Sequence, residues 1–119
     1  MKLSDAEWRV LEILWGGKAF TLGEITSAMK PVNGWSRNTV YTYLTRMEAK
    51  GLVKIDRNEQ APYSAGVTRE ACAKKERYDL LDRVYGGAAG DLIAAFLKET
   101  KISSEEKERL RSLLDEMEV

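Results

Sequence analysis

Residues 35–53 read WSRNTVYTYLTRMEAKGLV. At helical spacing Val40, Tyr43, Leu44 and Met47 share one face, and Asn38, Tyr41, Thr42, Thr45, Arg46 and the small Ala49 collect on the opposite one. A solvated helix face usually carries Glu and Lys that pair with one another. This one carries hydrogen-bonding side chains, an arginine and no carboxylate, which is the chemistry of a nucleic-acid reader. Asn38 can bond adenine bidentately, and Arg37 can bond guanine or grip a phosphate. Thr42 and Thr45 can bond phosphates or bases and offer methyl groups to thymine, while Tyr41 can set its hydroxyl on the backbone. Ser36 and the free amides of the first turn, at the positive end of the helix dipole, suit a phosphate. Arg46, further along, is placed to anchor a phosphate, and Glu48 lies at the flank, turned away from the duplex.

Other chemistries find little support. The chain has no histidine and a single cysteine, Cys72. A His/Cys metal site, or a Ser–His or Cys–His nucleophile pair, cannot be assembled within one chain. No Gly-rich phosphate loop accompanies the acids, so the reading is a non-enzyme without metal or cofactor. Cys72 excludes an internal disulfide and fits a reducing compartment. There is no run of 18 apolar residues, and Leu3 is followed by Ser-Asp-Ala-Glu rather than a signal-peptide core, so a cytoplasmic protein without membrane insertion is expected. Net charge is zero, yet residues 35–57 hold five basic and two acidic residues. A local basic patch is what phosphate contacts require.

The elements that must position this face announce themselves at their starts. Ser4 with Glu7, and Thr21 with Glu24, form capping boxes, with Leu3/Trp8 and Phe20/Ile25 as hydrophobic staples. Ser36 caps the next helix, with Trp35 and Val40 at the staple positions. The pattern predicts helices over 5–15, 22–30 and 37–50, the second ended by Pro31 and a Val32-Asn33-Gly34 turn. Residues 52–56 and 63–67 are rich in β-formers around the polar loop 57–62, which reads as a hairpin. Helix, helix, turn, helix, hairpin is the winged helix-turn-helix order. The fold class expected is mostly α with a small β-hairpin wing, and Lys54 and Arg57 on the wing would hold flanking phosphates.

Residues 1–68 would form the winged domain and 69–119 a helical tail. A helix to Tyr85 presents Tyr78, Leu81 and Tyr85. A second, about 88–98, presents Leu92, Ile93, Phe96 and Leu97. A third begins at a Ser103/Glu106 capping box and carries Leu110, Leu113, Leu114 and Met117. A tail this short struggles to bury so many large apolar side chains alone, which predicts a homodimer.

The block W-S-x-x-T-V-x-T-x-L-x-R-M-x-x-K-G-L-V, preceded by L-S-D-A-E-W-x-V-L-x-I-L-W, resembles the penicillinase-repressor family (BlaI/MecI/CopY), and VYGGAAGDLIAAFLKE with ISSEEKERLRSLL is similar to its tail. The resemblance implies a dimeric winged-helix repressor on a palindromic operator, with the three C-terminal helices interlocked with the partner's. It carries Ser36, Thr39, Thr42 and Arg46 over as operator contacts and leaves Arg37 and Asn38 in variable slots. Copper-responsive members end in clustered cysteines, whereas this chain ends LLDEMEV. In the antibiotic-resistance members a membrane sensor's signal leads to regulatory cleavage at an Asn–Phe bond. Here that pair is Ala95-Phe96, in which the phenylalanine matches and the asparagine does not.

The reading is therefore a sequence-specific, homodimeric DNA-binding repressor. Two rivals stay open: a winged-helix protein-interaction module without DNA binding, and a regulator gated by a small aromatic ligand held among Tyr78, Tyr85 and Phe96.

Overall fold

The computed structural model describes residues 2–117. In chain order it comprises α1 (Asp5–Leu14), α2 (Leu22–Asn33), α3 (Arg37–Ala49), β1 (Val53–Ile55), β2 (Tyr63–Ala65), α4 (Arg69–Tyr85), α5 (Ala89–Glu99) and α6 (Ser104–Glu116). This is a mostly helical chain with one antiparallel hairpin, in winged-helix order.

The helix starts follow from their caps. Ser4 Oγ accepts from the Glu7 amide at 3.1 Å and Glu7 Oε1 accepts from the Ser4 amide at 3.0 Å. Thr21 and Glu24 make the same reciprocal pair at 3.1 and 2.9 Å. Ser36 Oγ accepts from the Thr39 amide at 3.3 Å, without a reciprocal carboxylate. Each such cap contributes about 1 kcal/mol by satisfying a donor that the helix itself cannot.

Pro31 does not end α2, contrary to expectation: Val32 and Asn33 are helical, and the stop comes at Gly34 (φ 68°). Only one N–H is lost to the proline, and the Gly34 amide still bonds the Lys30 carbonyl at 2.9 Å. A left-handed residue closes the helix, and glycine adopts it without a Cβ clash.

The hairpin pairs Val53 with Ala65, Lys54 with Ser64 and Ile55 with Tyr63. Phe20 adds an isolated one-residue bridge to β2, exchanging two backbone bonds with Tyr63 at 2.8 and 3.1 Å. Beside β2, a Cβ on Gly66 would lie 2.6 Å from the Gly51 carbonyl oxygen, so the chain that leaves α3 and the chain that leaves the wing touch through bare backbone.

One core holds these elements. Val10, Leu11, Ile25, Met29, Val40, Leu44 and Met47 are all fully buried, and Leu14, Leu52, Val53, Tyr63 and Cys72 close around them. A buried side chain of this size stabilises the fold by about 2 kcal/mol. Three of the fully buried residues belong to α3, so its orientation is set by packing. Cys72 brings the start of α4 into the same core. Arg69 lies over the rings of Trp8 and Trp15, 6.0 and 5.4 Å from their centroids, and Trp15 Nε1 donates to the Val67 carbonyl at 2.9 Å.

Among the described residues, Glu7 is the one buried charge. Glu7 bonds Lys50 Nζ at 2.8 Å, with side-chain exposures of 7% and 41%. Burial pushes the Glu7 carboxyl up, but the bonds from Lys50 and Ser4 outweigh it and hold the group below its ordinary value of 4.5. A depressed carboxylate stabilises the fold above its unfolded pKa, and that contribution fades as pH falls through the lower folded value. Lys50→Met removes the partner and leaves burial alone, which drives the Glu7 pKa upward. The variant should lose about 2 kcal/mol at pH 7, less than a fully enclosed pair because Lys50 is half in solvent. The deficit should shrink toward pH 4, where Glu7 takes up a proton. Urea melts of both proteins at pH 7 and pH 4 check this; an equal deficit at both would contradict it.

By contact, the chain forms two compact units, Met1–Arg77 and Tyr78–Val119. The second contains the end of α4, α5 and α6. Neither α5 nor α6 has a buried residue. Ser103 caps α6 through the Glu106 amide at 3.1 Å, but the Glu106 carboxylate accepts from the Ser103 hydroxyl at 3.4 Å rather than from its amide. The reciprocal box expected there is only half made.

Candidate nucleic-acid interface

The two faces of α3 separate as its sequence requires. Val40, Leu44 and Met47 point into the core; Arg37, Asn38, Tyr41, Thr42, Thr45, Arg46 and Ala49 are exposed. Tyr43, expected in the core, is half-buried and stacks on Trp35 with ring centroids 4.2 Å apart. Trp35 in turn has its amide bonded to Asn33 Oδ1 at 3.2 Å, which ties the entry of α3 to the end of α2.

At the helix start, Ser36 is exposed and Thr39 half-buried, with their hydroxyls 3.1 Å apart. Further along, Thr42 Oγ1 donates to the Asn38 carbonyl at 2.9 Å and Thr45 Oγ1 to the Tyr41 carbonyl at 3.0 Å. Both hydroxyl protons are therefore spent on the helix's own backbone. In this rotamer each threonine offers outward a methyl group and an oxygen lone pair. Donation to a phosphate requires the hydroxyl proton to swing away from that carbonyl about the Cβ–Oγ1 bond, giving up the helix bond.

The cations divide into two groups. Arg37, Arg46 and the exposed wing residue Lys54 form no ion pair among the described residues. Arg57 is committed: its guanidinium makes two bonds to the Glu48 carboxylate, at 3.0 and 2.9 Å. That pair holds the Glu48 carboxyl below its ordinary value and the Arg57 guanidinium above its own. Burial pushes the Tyr63 phenol up, with Tyr41, Arg57, Arg37 and Glu48 all within electrostatic range. Residues of α3 and of the hairpin thus form one electrostatic neighbourhood. Sequence inspection missed the Glu48–Arg57 pair. The partners lie nine positions apart across a strand, a spacing that belongs to no helical or strand period; opposite charges flanking a predicted β1 were the one available hint.

In the second unit, Tyr78, Ile93, Phe96, Leu97, Leu110, Leu113 and Leu114 are exposed, and Leu81, Tyr85 and Leu92 half-buried. Ala95 and Phe96 lie inside α5, Phe96 with 59% of its surface free. A groove of about 230 Å³ runs between Leu97, Ile102, Leu110 and Leu114. Tyr78, Tyr85 and Phe96 do not line it. A cavity of about 170 Å³ lies in the first unit instead, against Leu3, Leu52, Val67 and Cys72. There burial pushes the Cys72 thiol up, away from the reactive thiolate. Among the described residues no helix is long and apolar enough to cross a membrane.

A family model described as "Penicillinase repressor" matches residues 3–116. A penicillinase repressor from Staphylococcus aureus is 29% identical over 98% of this chain and 94% of its own length. The methicillin resistance regulatory protein MecI of Mammaliicoccus sciuri is 27% identical over 96% of this chain and 94% of its own length. Among solved structures, a MarR/EmrR family transcriptional regulator from Acinetobacter sp. ADP1 is similar with a TM-score of 0.43 and 18% identity, over 97% of this chain and 78% of that one.

Proposed function

Because the chain belongs to the penicillinase repressor family, whose members are transcriptional repressors and not enzymes, we propose that it represses transcription as a homodimer bound to a palindromic operator. The observation that carries this reading is the division of α3: three buried residues lock the helix, and the exposed set presents donors, acceptors and arginine without an acid. A helix so mounted can enter a major groove, with Asn38 and Arg37 at base edges in the first turn. Ser36, Thr39, Tyr41 and Arg46 would hold phosphates beside it, while Thr42 and Thr45 turn methyl groups and lone pairs to the bases. Lys54 would take the flanking backbone from the wing.

The tail supports the dimer. Its exposed apolar set is larger than a lone unit of this size leaves bare. Two-fold symmetry then calls for inverted half-sites about one or two helical turns apart. For relief of repression, a sensor-triggered protease acting at Ala95-Phe96 would first have to unwind α5, since both residues lie within Ala89–Glu99.

Arg46→Ala tests the reading. Arg46 is exposed and forms no ion pair among the described residues, so its removal should leave the melting temperature unchanged. Binding to a duplex from upstream of the chain's own gene should weaken several-fold. The log–log salt slope should become shallower by about 0.9, the share of one phosphate. Fluorescence anisotropy across a salt series measures both. An unaltered affinity and slope would favour a protein-interaction role for the winged unit.

A further inference from the structure

Arg57 is the wing's best phosphate ligand by chemistry, and in the free protein it is occupied. Nη1 donates to Glu48 Oε2 at 3.0 Å and Nη2 to Glu48 Oε1 at 2.9 Å. Two parallel bonds from a guanidinium to a carboxylate reproduce the fork that the same group makes with two oxygens of a phosphate. The Arg57 side chain is 66% exposed, so a duplex can reach it, and Glu48 at 32% is held partly beneath it. The other cations of this surface, Arg37, Arg46 and Lys54, have no such partner among the described residues.

We propose that Glu48 stands in for a DNA phosphate at Arg57 and thereby sets specificity, by denying the wing arginine to duplexes that do not seat the whole surface. The proposal rests on the DNA-binding reading above. A loosely held duplex meets Arg37, Arg46 and Lys54 as open charges but finds the charge of Arg57 cancelled. To gain that contact it must displace a carboxylate with a geometrically equivalent phosphate, a near-even exchange that leaves Glu48 unpaired beside the DNA backbone. Only a duplex that already engages the recognition helix brings a phosphate close enough, for long enough, to make the exchange. Non-operator DNA is thus bound with one phosphate contact fewer than the surface could make. Glu48 acts through Arg57 and is a positioning residue rather than a base reader.

The experiment uses the full-length chain and its Glu48→Gln, Arg57→Ala and double variants, with a random-sequence duplex and anisotropy titrations between low and moderate salt. Glutamine keeps the size of the side chain and removes its charge. Glu48→Gln should bind the random duplex several-fold more tightly than the wild type, with a log–log salt slope steeper by about 0.9. In the Arg57→Ala background the same change should leave the slope unaltered, because no guanidinium is released, and should relieve only the repulsion of the bare carboxylate; Arg57→Ala alone should leave the wild-type slope nearly untouched. The proposal is overturned if Glu48→Gln keeps the wild-type slope or weakens binding. It is equally overturned if the slope steepens as much without Arg57, which would mean that the new phosphate contact is not made by the released guanidinium. Those outcomes leave the DNA-binding reading intact, whereas a wild-type chain with no salt-sensitive binding to any duplex removes both.

Discussion

Leu113→Asp combined with Leu114→Asp should convert the protein to a monomer and lower operator affinity by about 100-fold or more. Leu113 and Leu114 are 51% and 57% exposed in the single chain, and Phe96, Leu97 and Ile93 are similarly bare. Water would contact all of them in an isolated protomer, which soluble monomers seldom tolerate over so much adjoining surface. A carboxylate placed in a dimer interface must be desolvated without a partner, at a cost well above what two leucines contribute. Once the second half-site becomes a separate binding event, the effective concentration supplied by the tether is lost. The winged unit has its own core, so its melting should be unaffected. Light scattering reports the mass and anisotropy the affinity. A wild-type monomer at micromolar concentration, or a double variant that still dimerises and binds normally, would contradict the assignment.

Thr42→Glu should be comparably damaging by a different route. Thr42 is exposed, and its hydroxyl bonds only the Asn38 carbonyl. Glutamate is the better helix former, so α3 should tolerate the change within about 0.5 kcal/mol. The new carboxylate, however, would stand in the middle of the face that presents methyls and lone pairs to the duplex. Its nearest cation, the exposed Arg46 one turn on, would be drawn into an i,i+4 pair and away from the phosphate assigned to it. Loss of the contact together with the repulsion should reduce affinity by about 100-fold.

The separation of the α3 faces was legible because packing and solvent impose the same 3.6-residue period that the sequence displays. The first two capping boxes were legible for a similar reason, since both partners sit within one turn. Features that join elements were not. Phe20 pairs with Tyr63 through a single rung, too short to leave an alternating pattern. Glu48 finds Arg57 only once β1 has turned the wing back toward α3. Pro31 looked like a stop because proline removes a donor, but near a helix end the loss falls on one bond and the next residues remain helical. The threonine hydroxyls looked free because a sequence does not reveal that a carbonyl four residues back has already claimed them. In the tail, amphipathic helices were easy to recognise. Their apolar faces, already expected from the sequence to seek a partner, stay largely bare in the single chain, and this is the ground for the proposed dimer.

The central claim is that the outward face of α3 enters DNA while its inward face holds the fold, and Thr42→Glu examines it most directly. Wild type and variant should be titrated against the same upstream duplex, with thermal melting and mass recorded on the same samples. The account predicts an unchanged melting temperature, an unchanged mass and a loss of affinity near 100-fold. Binding within about threefold of wild type by a correctly folded variant would mean that this face does not meet the duplex.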